Sequence, residues 1–391
     1  MSGVGMRVVV VGAGIGGLTA AVALARRGHQ VTLIERAPQF EAIGAGLLVA
    51  ANAVQALAAL GIEVRDHGPH AGQMLDAMEL RRDNGALLGA VDIAGLRADF
   101  GPSYAMTRTH LHRLIADALP GDVDVRLGTT VTSVHARGRD VDVTLANGQT
   151  LTADLLVGAD GLHSAIRTEV CGPQQLRYAG ETCWRGLAPM GIGRTAVEAW
   201  GDGTRVGAFP MSPDTVYYYL LHVTPQASPA PAWPELREEF TAYVGHGVCG
   251  ELVAGLSDTP PLHHDLLELP RHVWGVPRAI LLGDAAHAMT PNVGQGAAMA
   301  IEDALVLARV LDDGIDGALL RYRTLRAPRV QEIASRARQF GQAALVRGRL
   351  ATGLRAAAFR AAPARYYAAS WRAMIGDGVD VVRSVGGSPQ D

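Results

Sequence analysis

The sequence predicts an α/β fold: a doubly wound nucleotide-binding domain, interrupted by an inserted, mainly antiparallel sheet and followed by C-terminal helices. Three observations predict it. The chain opens on a strand, a glycine turn, a helix and a second strand. Apolar strands that deliver an aspartate into a glycine turn recur far downstream, at 151–161 and 278–284. Between those two, residues 181–223 change character, to aromatic and β-branched residues broken by turn signals.

The elements follow in order. Residues 6–11 (MRVVVV) read as a central strand, 15–27 as a helix capped by Gly28, and 30–34 (QVTLI) as the next strand. Val8 to Ala25 carries no charge and is long enough to span a membrane, but Gly12, Gly14, Gly16 and Gly17 split it into strand, turn and helix. Residues 52–60 read as a helix. Residues 76–92 read as a hairpin turning at Asp83-Asn84-Gly85, and 109–119 as an amphipathic helix. Residues 123–145 alternate like paired strands, and Asn147-Gly148 turns into a strand at 151–157. After the antiparallel run comes a Pro-rich linker at 225–234, then helical and irregular sequence to about 270. Residues 278–283 return to a buried strand. A long helix follows at 294–312, and the chain is helical from 318 almost to a frayed tail at 386–391. The nucleotide domain is thus assembled from 1–72, 101–170 and 272–340. Residues 73–100 and 171–271 build the inserted domain, and 341–391 form the C-terminal helices and tail.

Composition narrows the function. A net charge of −3 gives no footprint for a nucleic acid partner. All 35 basic residues are arginine, which excludes a catalytic lysine. Cys171, Cys183 and Cys249 are widely spaced and odd in number, so neither a disulfide framework nor a zinc site is expected. His263-His264-Asp265 is a poor metal site, because adjacent histidines cannot easily converge on one ion, and no metal is expected. A cytoplasmic protein with no membrane association is expected, as a monomer or homodimer.

Three motifs carry chemistry. In Gly12-Ala13-Gly14-Ile15-Gly16-Gly17, Gly12 permits the turn, Gly14 admits a pyrophosphate to the backbone, and Gly17 allows close helix packing. Glu35 ends the second strand, where a carboxylate meets a ribose. The second motif is Gly158-Ala159-Asp160-Gly161, followed by Ser164 and Arg167. The third is Gly283-Asp284-Ala285-Ala286-His287, followed by Pro291, Gly294, Gln295 and Gly296. Either aspartate can hold a ribitol or ribose hydroxyl. Residues 294–297 open the long helix, whose N-terminal N–H groups favour negative charge. His287 reads as an internal hydrogen-bonding residue.

These three motifs, in this order and spacing, resemble the FAD-dependent aromatic hydroxylases, the single-component flavoprotein monooxygenases that include p-hydroxybenzoate, salicylate and urate hydroxylases. The resemblance spans roughly residues 6–340. It implies a Rossmann-like FAD-binding domain in which Gly12, Gly14, Gly17, Glu35 and Arg36 hold the adenosine and pyrophosphate. It implies that Arg108, in TRTHLHRLI, reaches the cofactor and that Val131 meets the adenine through its backbone. Asp160 would serve FAD and the nicotinamide cofactor, Asp284 would bind FAD, and Pro291, Gly294, Gly296 and Ala297 would line the flavin ring. The family often has an arginine before the glycine pair near Gly44 and a Pro-Asn after it; this chain has Ala42-Ile43-Gly44-Ala45-Gly46 and Ala51-Asn52.

The implied activity is NAD(P)H- and dioxygen-dependent hydroxylation of a small aromatic or heteroaromatic substrate through a flavin hydroperoxide. With no second glycine fingerprint, NAD(P)H is expected to bind transiently. Epoxidation or ring oxidation of a polycyclic or terpenoid metabolite, and dioxygen-independent flavin reduction, are the alternatives. The segment from Trp200 to Tyr217 resembles urate hydroxylase where an arginine and a tyrosine act on substrate, which places Arg205 and Tyr217 as catalytic candidates. Tyr219, two residues on, shares a strand face with Tyr217 and joins them as a substrate-binding candidate. Trp184-Arg185-Gly186 reads as a structural strand end near the cofactor.

Overall fold

A computed structural model describes residues 5–40, 46–65, 72–228, 232–257, 259 and 261–385. Its first layer is a six-stranded sheet. Arg7–Val11 lies between Gln30–Ile34 and Leu155–Gly158, parallel to both. Ala279–Leu281 extends the sheet in parallel beyond Leu155–Gly158, and Asp124–Arg126 does so beyond Gln30–Ile34. Gly275–Val276 closes one edge antiparallel. Val8, Val9, Val10 and Val11 are buried, as a central parallel strand covered on both faces must be. One face packs the helices Ile15–Ala25 and Gly296–Asp312 into the largest apolar core. A Cβ on Gly16 would lie 2.8 Å from Leu282 and 3.0 Å from Ala300, so glycine there sets how closely these helices approach. The other face is covered by an antiparallel sheet of Val131–Arg137, Asp140–Leu145 and Thr150–Ala153.

The inserted domain is a seven-stranded sheet. Its order is Leu262–Glu268, Arg177–Pro189, Thr215–His222, Thr204–Ser212, Thr195–Trp200, Ala77–Arg82 and Leu87–Asp92. The hairpin at 77–92 is its far edge, joined in parallel to Thr195–Trp200. Strand alternation gives the sheet two unlike faces. Trp184, Val197, Val206, Ala208, Val216, Tyr218 and Leu220 form an apolar core with helices Trp233–Glu238 and Gly247–Gly255. Arg185, Glu198, Arg205, Phe209, Tyr217 and Tyr219 occupy the opposite face.

Several elements depart from the sequence reading. Residues 262–268, read as irregular, form an edge strand: LHHDLLE is polar because much of that edge is open to water. The strand expected at 151–157 is two, broken at Asp154, whose carboxylate accepts from the Arg7 N–H and guanidinium. The expected linker at 225–234 is already helical at Trp233, and its residues 229–231 lie outside the described residues. The boundary at 340 falls inside the helix Ala318–Ala344. Helices Arg349–Ala361 and Ala364–Val385 then cover the Ala51–Ala59 helix and the 77–92 hairpin. Residues 42–45 and the tail at 386–391 also lie outside the described residues. Among the described residues, no helix is long and apolar enough to cross a membrane.

Candidate functional site

The three motifs converge at the carboxyl ends of the parallel strands, where ligands of doubly wound folds bind. Gly12 has φ +100°, and its N–H donates to Ile34 O at 2.8 Å. A Cβ on Gly12 would lie 2.5 Å from Ala159 O, beside the second motif. A Cβ on Gly17 would stand 1.8 Å from Gly12 O, so the helix could not close onto the turn with any larger residue. Gly14 is exposed, and its missing Cβ opens on empty space. Glu35 braces this loop: Oε2 accepts from Ala13 N at 2.7 Å and Oε1 from Ala37 N at 2.9 Å. Arg36 is exposed beside it. Thr129 N donates to Glu35 O, which brings the start of the Val131 strand to the same end of the cleft.

Asp160 Oδ1 accepts from the Ser164 hydroxyl, and Oδ2 accepts from Ile166 N at 3.0 Å, fixing the turn into the helix Ala165–Cys171. The buried Arg167 ties the second motif to the third by donating to Ala285 O (2.9 Å) and Leu162 O (2.8 Å). Asp284 is exposed at the turn. Behind it, Asp303 Oδ2 accepts from Gly283 N at 2.9 Å and meets His287 Nε2 at 2.6 Å, which gives His287 an internal role. Pro291 opens a short 3₁₀ turn ending at Gly294 (φ +65°), and Gly296 and Ala297 begin the long helix. A Cβ on Gly294 would press on Leu48 at 3.1 Å, whereas one on Gly296 would meet open space.

The polar sheet face stands across from this turn. A Cβ on Gly46 would meet the Tyr217 ring at 2.5 Å, and one on Gly207 would meet the Tyr219 ring at 2.1 Å, so each ring packs directly against a glycine. Phe209, Tyr217 and Tyr219 form a triangle with centroids 6.1–6.4 Å apart. Arg185 lies within hydrogen-bonding reach of the Tyr217 hydroxyl, and its Nε is buried with no partner among the described residues. Burial lowers the Arg108 pKa against the opposing pull of Asp284, with Arg185 and Tyr217 also within electrostatic range. Arg108, Asp284, Arg185 and Tyr217 therefore share one cleft. Burial raises the pKa of both tyrosines above the ordinary phenol value.

Arg205 shares this face, but its charge is matched within the protein. Its side chain is 3% exposed. It donates to Glu181 Oε1 at 2.9 Å, Glu198 Oε1 at 2.9 Å and Asn292 Oδ1 at 2.8 Å. Burial works against its charge, and Glu198 and Glu181 outweigh burial, so its pKa is raised. The Tyr219 hydroxyl donates to the other oxygen of Glu198.

Residues 5–237 and 270–337 match the model of a family described as FAD binding domain. The chain belongs to the FAD-dependent aromatic hydroxylase family. The 2-heptyl-3-hydroxy-4(1H)-quinolone synthase of Pseudomonas aeruginosa is 35% identical over 316 residues, covering 78% of this chain and 80% of that protein. Salicylate hydroxylase of Pseudomonas putida is 32% identical over 387 residues, covering 86% of each. Among solved structures, Klebsiella pneumoniae HpxO complexed with FAD and uric acid superposes with a TM-score of 0.84 at 29% identity, covering 95% of this chain and 97% of that one.

The protein is an FAD-dependent monooxygenase, and its cleft fits the cofactor. The open space at Gly14 and Gly296 is a cradle that a side chain would fill. Asp284 presents a carboxylate at its edge, and Arg108 is a half-buried cation facing it. Sequence reasoning passed over four residues of this hydroxylase. Glu181 and Glu198 carried no motif. Arg185 was read as a strand end, although it pairs directly with Tyr219 across the ladder. His112, whose Nε2 lies 2.7 Å from Ala13 O, anchors the glycine loop; its place on the helix Arg108–Ala116 was the available signal.

Proposed function

We propose that this hydroxylase converts a ring C–H of a small aromatic or heteroaromatic substrate to C–OH in the cleft between the 204–222 strands and the 291–297 turn. NAD(P)H and a proton supply the reducing equivalents, and the second oxygen atom of dioxygen leaves as water. Bound FAD couples nicotinamide oxidation to dioxygen activation. The observation that carries this reading is the aromatic wall of Phe209, Tyr217 and Tyr219 beside a turn whose Gly296 opens on empty space.

The chain's own residues have defined tasks. The Gly12–Gly17 loop and the helix start at Ile15 receive the pyrophosphate on free N–H groups. Glu35 accepts ribose hydroxyls, since each of its oxygens keeps a lone pair. Arg36 and Val131 flank the adenosine. Arg108, Asp160 and Asp284 hold the phosphate and ribityl portions, and Pro291, Gly294, Gly296 and Ala297 line the flavin ring. Arg185, within reach of the Tyr217 oxygen, would donate to it and leave the Tyr217 proton to hold a substrate oxygen. With its pKa raised, Tyr217 keeps that proton at neutral pH and acts as a hydrogen-bond donor rather than a base. Tyr219 commits its proton to Glu198, so it contributes ring surface. Arg205 holds the wall together.

The test follows NADH and NADPH oxidation in an oxygen electrode with phenols, purines and quinolones. The expected result is a yellow protein whose nicotinamide oxidation is stimulated by one compound, with matching dioxygen uptake and a hydroxylated product. Turnover without dioxygen would favour a flavin reductase. Colourless protein that FAD cannot reconstitute would refute the assignment of the cleft.

A further inference from the structure

We propose that the helix Arg349–Ala361 seats the protein on an anionic lipid surface, with its outward leucines in the headgroup boundary and its arginines against lipid phosphates. The inference is independent of the hydroxylase reading, and it departs from the expectation of no membrane association.

This helix carries its amphipathicity reversed. A surface helix ordinarily turns its apolar stripe inward and its charges outward. Here the inward face holds Thr352, Arg355, Ala356 and the Phe359 ring. Arg355 is buried, lies 5.1 Å over the Trp200 ring, and donates to Ala344 O at 3.0 Å and Gly201 O at 2.9 Å. Phe359 meets the same indole in a T-shaped contact at 5.2 Å. Asp202 Oδ1 accepts from Gly348 N at 2.7 Å and fixes the helix start. These contacts decide which face looks out, and the leucines are on it: Leu350 is 80% exposed and Leu354 65%. At about 100° per residue, Leu350, Leu354, Ala357 and Ala361 fall within about 60° of arc, and all four are exposed.

The charge pattern names the occupant. Between Glu332 and Asp377 the chain has eight arginines and no acidic residue, although the whole protein carries a net charge of −3. Arg349 and Arg360 flank the leucine stripe on one side, and Arg365 and Tyr366 are exposed just past the turn at Ala362-Pro363. The guanidinium groups of Arg349, Arg360 and Arg365 make no hydrogen bond or ion pair among the described residues. A second copy of this chain would set like charge against like charge across a two-fold axis. A nucleic acid would pair with the arginines and leave the leucines in water. An anionic bilayer takes both, and a protruding helix face needs no matching groove to reach it. Each arginine near such a surface strengthens binding about fivefold.

The test sediments the purified protein with vesicles of phosphatidylcholine alone and of phosphatidylcholine mixed equally with phosphatidylglycerol. Wild-type protein is expected to bind the mixed vesicles at least about tenfold more tightly than the neutral ones, and to release them as salt is raised. Leu350→Gln/Leu354→Gln and Arg349→Gln/Arg360→Gln are each expected to weaken binding to the mixed vesicles by about tenfold or more. Their circular dichroism should match wild type, because all four side chains are exposed. Leu320→Gln, at a comparably exposed leucine near the start of the preceding helix, is expected to change nothing. No binding to the mixed vesicles, equal binding to both compositions, full binding by either double variant, or an equal loss in Leu320→Gln overturns the proposal. So does a dimer in solution that Leu350→Gln/Leu354→Gln dissociates, which would assign the stripe to a second copy of the chain.

Discussion

Replacing Arg326 with methionine tests whether a buried ionic cluster holds the Gly296–Asp312 helix in place. Arg326, Glu302 and Asp303 are each 0% exposed. Arg326 donates to Asp303 Oδ1 at 2.7 Å, Glu302 Oε2 at 2.6 Å and Met299 O at 3.2 Å. In Arg326→Met, Glu302 keeps Arg329, while Asp303 keeps His287 and the Gly283 N–H but loses its guanidinium. A buried carboxylate stripped of its guanidinium costs about 3–5 kcal/mol, a large share of a typical ~5–15 kcal/mol of folding stability. Burial pushes the Asp303 carboxyl up, but His287 and Arg326 outweigh burial and hold it well below the usual range. That stability is present above the ordinary aspartate pKa and fades as pH falls, so the variant's deficit is largest at neutral pH. The control is Arg336→Met, which breaks a half-exposed i,i+4 pair with Glu332 worth about 0.3–0.5 kcal/mol. Urea unfolding followed by circular dichroism, at one saturating FAD concentration, measures both. A loss below about 1 kcal/mol for Arg326→Met, or equal losses for the two variants, would refute the reasoning.

Gly17→Ala puts a Cβ 1.8 Å from Gly12 O and should abolish stable FAD binding, measured as the flavin-to-protein absorbance ratio of purified protein; a normal ratio contradicts the close-packing role. Tyr217→Phe should lower kcat about tenfold with flavin content unchanged, the loss expected for one directed hydrogen bond to a reacting ring; unaltered kcat would remove Tyr217 from the site. Burial, then Arg185 and His263, lowers His264 to about 4, and burial, then His287 and Arg338, lowers His272 to about 4. Both folded values lie below the ordinary 6.5, so the unfolded chain binds more protons in between, and stability falls as pH drops from about 6.5 toward 4. A melting temperature that stays flat over that window, or one that falls as steeply in the His264→Gln, His272→Gln double variant, would contradict this.

Much of the cofactor half was legible in the sequence because its signals are local. Gly12 and Gly17 are forced by a turn and a contact within six residues, and the valine run of Arg7–Val11 states its burial outright. The substrate half was less legible because its meaning lies across strands. Resemblance singled out Arg205 and Tyr217 as candidates, but nothing along the chain tells that Glu181 on one strand and Glu198 on another enclose the Arg205 guanidinium. Arg185 looked like a strand end until pairing put it opposite Tyr219. The edge strand Leu262–Glu268 escaped notice because half-exposed strands lack an apolar run, and His263 there stacks on Trp184 at 4.6 Å.

The discontinuity of the parallel sheet has a consequence for how the chain matures during synthesis. The seven-stranded sheet has all its strands once residue 268 has emerged. The cofactor domain still lacks Ala279–Leu281 and the Gly296–Asp312 helix at that point. At ~5–20 residues per second, the interval before those elements leave the ribosome is on the order of seconds, long compared with strand pairing. The inserted domain can therefore assemble first, and a chain truncated in that interval would carry the seven-stranded sheet without a completed cofactor domain. Acquisition of the cofactor becomes a checkpoint late in biosynthesis, which a ribosome-stalled chain series probed by limited proteolysis would expose.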